Sequence, residues 1–565
     1  MRRLIALFAG LNLALGAIVV RLGILQVSQA DAYQARALDQ RLQTLVLPAS
    51  RGQIVDRSGE PLAISQAARD VYADPRYVTD PTGEAARIAP ILGVAVKTLL
   101  PNLVADASFR YLARQVDIGV ADRLEALHLP GIGFLPSTKR FYPAGPLAPQ
   151  VLGFVGVDGV GLSGLELEYQ SLLAGRAGSL TQEFDPNGQP IAGGVDQEQP
   201  PVPGSDIVTT IDRDFQYQVQ AALQEAVKAN HAIGGTVIVM DPHTGDVYAM
   251  ASYPWFDPND FVDATQAAMR NRAVTDSFEP GSVNKVITAA AAVEEHVLPL
   301  DQQLTVPWTM RIGTFTIHDS HPHPPEPMTL GDIVAQSSNI GAVKVAQRLG
   351  AARMATYLSK FGLGRATGIA FPGESPGMML PLYQWSDTSL ATMAYGQGIS
   401  VTPLQMISVY STIANGGVWV QPRLVRGTVD ANGTFHAAPA SPVRRVVSAQ
   451  TARTVTSMLA YAVEAGTGTA AQIPGYQVAG KTGTARIPRP SGGYYTDRYF
   501  ASFIGFLPAS DPQVVIAVIL DRPTTVYGGI ASAPLFQTIA RYAIERLGIA
   551  PGSILSLPPH VFPVP

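Results

Sequence analysis

The sequence contains no cysteine and little charge. Its 565 residues are 47% hydrophobic and only 15% charged, whereas globular chains average about 25% charged residues. Without cysteine the chain has no disulfides, no thiolate zinc sites and no thiol nucleophile. The net charge of −4 gives no electrostatic reason to expect nucleic acid as a partner. The length and composition indicate a folded protein of roughly two to four domains.

Lysine is also scarce, with seven Lys against 33 Arg. The chain uses arginine for nearly every positive charge, so each lysine raises the question of why it is not arginine. One answer is proton transfer. A lysine amine can lose its proton when burial or a neighbouring cation lowers its pKa, whereas arginine stays charged in proteins.

A long apolar run lies near the start of the chain and extends from Leu4 to Val27, with Arg21 as its one charged residue. A membrane-spanning helix needs about 20 apolar residues, and Arg21 can extend its charge towards the interface. Arg2 and Arg3 favour a cytoplasmic N-terminus and an exported body. The alternative is a cleaved signal peptide, but this run is longer than a usual signal core. No second run of that length follows, so the sequence predicts a single-pass protein.

The remaining chain divides by composition. A Gly- and Pro-rich stretch, GGVDQEQPPVPG, is the best linker candidate. A turn is predicted at 185–188 and a helix at 122–129, and the Pro-rich tail is expected to be loose. The predicted segments are the tip and anchor at 1–27, a juxtamembrane helix at 28–49, a mixed α/β domain at 50–195, the linker at 196–205, a second domain at 206–550 and the tail at 551–565.

The second domain begins and ends with strand patterns. Apolar runs predict a hairpin near its start and two further strands near its end. Helical patterns lie between and beside them. We therefore expect one sheet built from both ends of the domain and covered by helices. The predicted elements are a helix at 215–230, strands at 235–240, 247–252, 500–506 and 513–520, and a helix at 534–547.

The first candidate site is a serine followed three residues later by a lysine. Pro280 and Gly281 precede a long helical run, which puts Ser282 at a helix N-terminus and on the same helix face as Lys285. A serine becomes a strong nucleophile when a base removes its proton, and a desolvated lysine can act as that base. An isolated S-x-x-K is more often an N-cap beside a solvated lysine. Here, however, only Lys285 of the seven lysines has a serine three residues before it.

The second candidate site is Ser337-Ser338-Asn339, at the entry to another helical run. The hydroxyl of Ser337 and the amide of Asn339 can project into one cleft, to relay a proton and to hold a substrate carbonyl. A Ser/Asn helix cap fits the same residues equally well. Alone, this motif is a weak signal.

The third candidate site is the segment Lys481-Thr482-Gly483-Thr484. Glycine permits a close approach of backbone, as when an extended ligand pairs with a strand edge. The amine of Lys481 and the hydroxyls of Thr482 and Thr484 are suited to binding a carboxylate. A surface turn and a phosphate loop are the alternatives, and the phosphate loop is the less favoured of the two.

Together, S-x-x-K, S-x-N and K-T-G in this order are typical of penicillin-binding proteins and class A β-lactamases. Longer blocks extend the resemblance over nearly the whole chain. On these motifs the chain resembles the division-specific class B penicillin-binding proteins. The blocks are 271–282 (NRAVTDSFEPGS) and 395–405 (YGQGISVTPLQ) in the second domain, and 51–57 (RGQIVDR), 140–143 (RFYP) and 164–166 (GLE) in the first.

This resemblance implies an α/β multidomain fold. A single N-terminal transmembrane helix would precede a mixed α/β pedestal domain and a transpeptidase domain similar to β-lactamases, with an antiparallel sheet flanked by helices. It implies a D,D-transpeptidase that cross-links peptidoglycan at the septum. The implied catalytic residues are the nucleophile Ser282, the base Lys285, the proton-relay and substrate-positioning pair Ser337 and Asn339, and Lys481. The implied substrate-binding residues are Thr482, Gly483 and Thr484, and the substrate carboxylate would be held by Lys481, Thr482 and Thr484.

The resemblance also implies partners and a location. The substrates would be stem peptides, with β-lactams as acylating inhibitors of Ser282 and the backbone N–H groups of Ser282 and Thr484 as the oxyanion hole. No metal or organic cofactor is needed for this chemistry. The protein would sit in the bacterial inner membrane with its catalytic domain in the periplasm. A membrane glycosyltransferase and other division proteins are the expected partners, the former docking on residues 50–195.

Several alternatives stay open. A β-lactamase is disfavoured because no E-x-x-L-N run supplies a deacylating glutamate. A D,D-carboxypeptidase shares the chemistry, and a β-lactam sensor or scaffold would be acylated without turnover. Within the family, an elongation-type transpeptidase is the nearest rival hypothesis, although the block Phe278-Glu-Pro-Gly-Ser282 favours division. His318, His321 and His323 have a spacing that can ligate a metal, but their Pro-rich context and the serine motifs disfavour a metal site.

Overall fold

The structure is a computed structural model that describes residues 1–184, 191–313 and 315–562. The chain forms two units: one contains residues 1–50, 67–138 and 175–204, and the other contains 51–66, 139–174 and 205–565. The turn predicted at 185–188 lies outside the described residues. The domain boundaries drawn from the sequence stay predictions.

The apolar run near the start of the chain forms the helix Arg2–Gly23, which continues as a π-helical turn, Ile24–Ser28. Its mean hydropathy is 2.1, and among the described residues it is the one helix long and apolar enough to cross a membrane. Large apolar side chains along it, such as Leu7 and Phe8, are exposed, as expected of a surface that faces lipid. The helix supports the predicted single-pass anchor.

The helix predicted at 28–49 is shorter than expected. It spans Ala30–Arg41 and gives way to a strand, Leu42–Leu47. That strand pairs antiparallel with Gly178–Glu183, where the hydroxyls of Thr44 and Thr181 lie 3.0 Å apart. The predicted extent was wrong because pairing with a strand far along the chain overrides the local helical pattern.

The remainder of the first unit is mixed α/β, as predicted. Gly178–Glu183 also pairs with Asp196–Gln199, so a strand occupies part of the segment predicted as a linker. The helix predicted at 122–129 is observed at Ile118–Glu125. Apolar side chains from its helices and strands, including Val71 and Ile88, form a small core. Its other elements are the helices Pro81–Leu92 and Val96–Leu103, and the strands Arg110–Asp117 and Ile132–Phe141 together with the second half of Pro61–Ala73.

The second unit is built on one five-stranded antiparallel sheet, which confirms the predicted sheet made from both ends of the domain. The loops that join neighbouring strands are short at each end of the domain. The helices on one face of the sheet come from the two ends of the domain, and those on the other face come from its long middle. In spatial order the strands are Val247–Tyr253, Gly234–Met240, Val514–Asp521, Tyr494–Leu507 and Ala479–Pro488.

Both faces of this sheet are covered. Successive strand residues point to opposite faces, and the core clusters follow that alternation: Val237 packs with one set of helices and Ile238 with the other. The apolar runs are therefore continuous because neither face meets water. One face carries the helices Arg213–Ala229 and Ala533–Leu547. The other carries Lys285–Glu294, Leu330–Ala335, Asn339–Leu349, Ala351–Lys360, Asp387–Ala394, Pro403–Ala414 and Ala449–Glu464.

The Pro-rich tail is packed, so the expectation of a loose tail was wrong. The hydroxyl of Thr329 donates to the carbonyl of Pro559 at 2.7 Å. The buried carboxylate of Asp332 accepts from the N–H of Val561 at 3.1 and 3.2 Å. Tyr461 donates to the carbonyl of Phe562 at 3.1 Å. The tail docks because a buried carboxylate requires donors, a demand that the tail's own composition does not reveal.

Removing the tail is expected to destabilise the second unit. In a chain that ends at Ser556, Asp332 loses the N–H of Val561 and Thr329 loses an acceptor, so the free energy of unfolding should fall by about 2 kcal/mol. Thermal unfolding followed by circular dichroism measures the change. A chain that ends at Phe562 is the control and should melt like the full chain. Equal melting temperatures for the two truncated chains would contradict the docking.

Candidate active site

The S-x-x-K motif lies where a tight turn runs into a helix. Gly281–Asn284 is a 3₁₀ turn followed directly by the helix Lys285–Glu294. Gly281 has φ +57° and lies so close to the strand Ala479–Pro488 that an added Cβ would be 3.2 Å from the carbonyl oxygen of Thr484. Glycine therefore allows the turn to approach that strand. Ser282 precedes the α-helix by one 3₁₀ turn instead of starting it.

Lys285 is the centre of the site. Its side chain is buried, and its Nζ donates to Ser282 Oγ at 3.0 Å, to the Ser337 carbonyl at 2.5 Å, to Ser337 Oγ at 3.2 Å and to Asn339 Oδ1 at 2.8 Å. Burial lowers the pKa of Lys285 to about 7, although the carboxylate of Asp319 acts in the opposite direction. Near neutral pH a large fraction of this amine is therefore unprotonated and able to accept the serine proton.

The S-x-N motif reaches Lys285 through an unusual backbone conformation. Ser337 has φ +62°, a left-handed conformation that costs a non-glycine residue about 1–3 kcal/mol. This conformation directs both its carbonyl and its hydroxyl at Lys285. The next residue, Ser338, accepts from the N–H of Gly341 at 2.8 Å and caps the helix Asn339–Leu349. The predicted cap is thus Ser338, and Ser337 and Asn339 are free to face the lysine.

The K-T-G motif lies on the edge strand of the sheet, Ala479–Pro488. Lys481 is buried, and its Nζ donates to Thr467 Oγ1 and Thr482 Oγ1, each at 3.1 Å. Burial, and then repulsion from Lys285, holds the pKa of Lys481 well below its usual range. At Gly483 an added Cβ would be 2.3 Å from Ser502 Oγ and 3.2 Å from the carbonyl oxygen of Pro280, so a larger residue would force its neighbours to move. Among the described residues, this strand pairs only with Tyr494–Leu507, and its other edge can accept an extended ligand.

The structure excludes a phosphate loop at this motif. Gly475, Gly480 and Lys481 do stand at the G-x-x-x-x-G-K spacing, so spacing alone does not rule the loop out. A phosphate loop connects a strand to a helix N-terminus. Here residues 479–488 form a strand, and Lys481 Nζ donates to threonine hydroxyls and to the Thr482 carbonyl. The lysine is thus engaged with the strand and its neighbouring loop.

Three further residues complete the site, and none of them belongs to the three motifs. Thr467 Oγ1 lies 2.7 Å from Thr482 Oγ1. The carbonyl of Gly396 accepts from the N–H of Gly281 at 2.9 Å, and a Cβ on Gly396 would be 2.2 Å from the carbonyl oxygen of Gly281. The carboxylate of Asp319 binds the S-x-N segment. Gly396 lies in the Tyr-Gly-Gln-Gly block, which was the one available signal.

The three histidines make contacts other than metal ligation. His323 Nε2 lies 3.2 Å from Asp319 Oδ2, the carbonyl of His318 accepts from Asn339 Nδ2 at 2.9 Å, and the ring of His321 stacks on Tyr527. Within the described part of the chain, no group of three or more His, Asp or Glu side chains is arranged to hold a metal ion.

The structure thus brings the predicted residues into one site. Ser282, Ser337 and Asn339 all contact Lys285. The edge strand joins them where Gly483 approaches Val283, since a Cβ on Gly483 would be 3.0 Å from the Val283 side chain. The result is a serine paired with a buried amine, beside a second lysine and a row of threonine hydroxyls. This arrangement is suited to acyl transfer on a substrate that carries a carboxylate.

Comparison with known families divides the chain in two. Residues 46–209 match the penicillin-binding protein dimerisation domain, and residues 235–541 match the penicillin-binding protein transpeptidase domain. The second match contains all three motifs.

Similar proteins cover almost the entire chain. The penicillin-binding protein PbpB of Mycolicibacterium smegmatis is 37% identical over 97% of this chain and 92% of its own length. The peptidoglycan D,D-transpeptidase FtsI of Escherichia coli is 33% identical over 96% and 91%. The crystal structure of penicillin-binding protein 3 from Mycobacterium tuberculosis, complexed with aztreonam, has a TM-score of 0.72 and 34% identity over 91% of this chain and 99% of that one. The family predicted from the motifs is confirmed: this chain belongs to the class B penicillin-binding proteins.

Proposed function

We propose that this chain is a septal peptidoglycan D,D-transpeptidase that forms an acyl-enzyme on Ser282. The observation that carries the proposal is the 3.0 Å contact between Ser282 Oγ and the amine of Lys285, a lysine that is buried and has a pKa of about 7. A nucleophile needs a base within hydrogen-bond reach and with a pKa near the working pH. Lys285 meets both conditions.

Acylation begins with proton transfer from Ser282 to the neutral amine of Lys285. The freed Oγ attacks the carbonyl of the penultimate D-Ala of a stem peptide. The backbone N–H groups of Ser282 and Thr484 form the oxyanion hole, an assignment that rests on the family resemblance. As the tetrahedral intermediate collapses, the bond to the terminal D-Ala breaks and its nitrogen takes up a proton. Ser337 supplies a route for that proton, because its hydroxyl lies 3.2 Å from Lys285 Nζ.

Deacylation reverses the proton flow. The amine of a neighbouring stem peptide attacks the ester carbonyl and gives up a proton towards Lys285. The bond from the carbonyl carbon to Ser282 Oγ then breaks as the amide cross-link forms, and Oγ takes a proton back from Lys285. Asn339 orients Lys285 through Oδ1 at 2.8 Å; its role in positioning substrate stays a prediction. Lys481, Thr482 and Thr484 hold the substrate carboxylate at the strand edge, where Gly483 permits close approach. Each step uses side chains of this chain as acid, base or nucleophile, so the chemistry needs no metal or cofactor.

The anchor sets the location of this reaction. Arg2 and Arg3 precede the membrane-spanning helix, and basic flanks favour the cytoplasmic side. The catalytic domain is then in the periplasm, where peptidoglycan lies. A membrane glycosyltransferase of the division machinery docks on residues 50–195, as the resemblance implies. β-Lactams acylate Ser282, which agrees with the aztreonam complex of the mycobacterial protein.

Loss of the nucleophile or of the base should abolish acylation. Ser282→Ala removes the attacking oxygen, and Lys285→Arg replaces an amine that deprotonates with a guanidinium that does not. Labelling by a fluorescent penicillin should fall at least about 1,000-fold in each variant. The control is Lys228→Arg, at an exposed lysine in the helix Arg213–Ala229, which should label like the parent. Near-normal labelling of either site variant would refute the mechanism.

The rate of acylation should depend on pH through Lys285. The reactive form is the neutral amine, and burial lowers the pKa of this group to about 7. The second-order rate constant for penicillin acylation should therefore rise with pH through about 7 and then level off. Stopped-flow acylation between pH 5 and 9 measures the profile. A rate that continued to rise to pH 9 would show an ordinary, solvated lysine and contradict the assignment.

The septal role is tested in cells. Depletion of a division transpeptidase blocks septum formation while elongation continues, so cells should grow as filaments. Swollen cells would instead identify an elongation-type enzyme. Analysis of purified product separates the remaining alternative, because a carboxypeptidase releases D-Ala without forming cross-linked dimers.

A further inference from the structure

Asp319 lies outside the three motifs but contacts one of them. It follows the strand Phe315–His318 and is 9% exposed. Its Oδ2 accepts from Ser338 Oγ at 2.6 Å, and its Oδ1 accepts from the backbone N–H of Asn339 at 2.5 Å and of Ile340 at 3.0 Å. His323 Nε2 lies 3.2 Å from Oδ2. This carboxylate is therefore fully engaged at the start of a helix.

These contacts fix the helix that carries Asn339. The first N–H groups of a helix have no partner within it, and here Asp319 takes those of Asn339 and Ile340 while Ser338 takes that of Gly341. A negative charge at this end of a helix is also favourable. Asn339 is thereby held through its backbone by Asp319, while its side chain contacts Lys285. The residue before Asp319 also fixes the side chain of Asn339, because the His318 carbonyl accepts from Asn339 Nδ2.

The charge of Asp319 also acts on Lys285. Both lysines of the site are buried, and the charge of Lys285 disfavours a positive charge on Lys481. Within the described part of the chain, the oxygens that accept from Lys285 are all uncharged and belong to Ser282, Ser337 and Asn339. Asp319 is the carboxylate whose attraction favours the charged form of Lys285 against burial.

Two titratable side chains, His323 and Glu326, lie near Asp319. His323 faces it directly, and Glu326 Oε2 lies 3.9 Å from His323 Nδ1. Burial lowers the pKa of His323, but its hydrogen bonds to the Pro324 carbonyl and to Asp319 outweigh this and leave its pKa raised. A protonated His323 therefore offsets part of the charge of Asp319 on the acidic side of neutrality.

We propose that Asp319 is a positioning residue for acylation: its carboxylate holds Asn339 at the helix start, and its charge stabilises the ammonium that Lys285 becomes when it takes the Ser282 proton. The proposal rests on the proposed role of Lys285 as the base. No new bond chemistry is involved, since the proton that leaves Ser282 is the one that Lys285 gains. Asp319 touches neither substrate nor reacting atoms and acts through its two neighbours.

The variant Asp319→Asn separates charge from shape. Asparagine has nearly the same size and keeps an oxygen for the N–H groups of Asn339 and Ile340, but it lacks the charge. The acidic limb of the acylation rate profile of the full-length protein, measured with a fluorescent penicillin, should move to lower pH by about one unit. The plateau rate should fall about tenfold, because the base becomes weaker.

Two further variants distinguish the effect of the Asp319 charge from a loss of local structure around the helix start. Ser338→Ala removes a contact to Asp319 and a helix cap but no charge, so the plateau should fall while the limb stays in place. His323→Gln removes the cation beside Asp319 without touching the helix, so the limb should move to higher pH by roughly 0.3 units. This variant also serves if Asp319→Asn does not fold.

The proposal would be overturned if the acidic limb of Asp319→Asn stayed at the pH of the parent, or if the limb of His323→Gln did not move to higher pH. Neither conclusion depends on the plateau rate. Lys285→Arg distinguishes this failure from failure of the proposed function. If that variant is inactive and the Asp319→Asn limb has not moved, only the role of Asp319 is wrong. If Lys285→Arg is acylated normally, the base itself is wrongly assigned.

Discussion

The burial of one amine, that of Lys285, is the constraint on which the rest of the site depends. An amine in water would stay protonated at neutral pH, so the fold must remove water from this group while keeping Ser282 within 3.0 Å of it. The helix Lys285–Glu294 therefore packs inside the helical layer on one face of the sheet. Its N-terminal turn faces the edge strand, and the S-x-N segment covers the amine from a third direction. The three motifs lie on separate elements, and each element encloses the Lys285 amine from a different side.

Placing two lysines in one dry site creates an electrostatic problem. Lys481 is buried as well, and repulsion between the two amines adds to desolvation. Threonine hydroxyls accept hydrogen bonds from Lys481. In the proposed function, the negative charge of a bound substrate carboxylate would favour the charged form of this lysine. For Lys285, the attraction of the Asp319 carboxylate favours the charged form of the amine. Asp319 does not contact this amine directly but binds the start of the helix that carries Asn339. In the proposed mechanism, the carboxylate that favours the charged form of Lys285 is therefore also the group that accepts from the first N–H groups of the helix.

The motif residues could be proposed from the sequence because their chemistry restricts residue type at fixed local spacing: a lysine can lose its proton where an arginine cannot, and glycine permits close approach at position 483. The sheet was predictable because its buried strands form continuous apolar runs. Asp319 and Thr467 left no such signal, since each matters through contacts with distant segments. The same reason explains two wrong expectations. The helix ending at Arg41 stops early because a distant strand pairs with Leu42–Leu47, and the tail is packed because Asp332 needs donors.

The scarcity of lysine makes the central claim directly measurable. With only seven lysines in the chain, an NMR titration of protein labelled with ¹³C at lysine Cε can follow each amine, and the Lys285→Arg variant identifies the signal of interest. The account predicts that Lys285 titrates near pH 7. A Lys285 signal that titrated above about pH 10, as a lysine in water does, would contradict it.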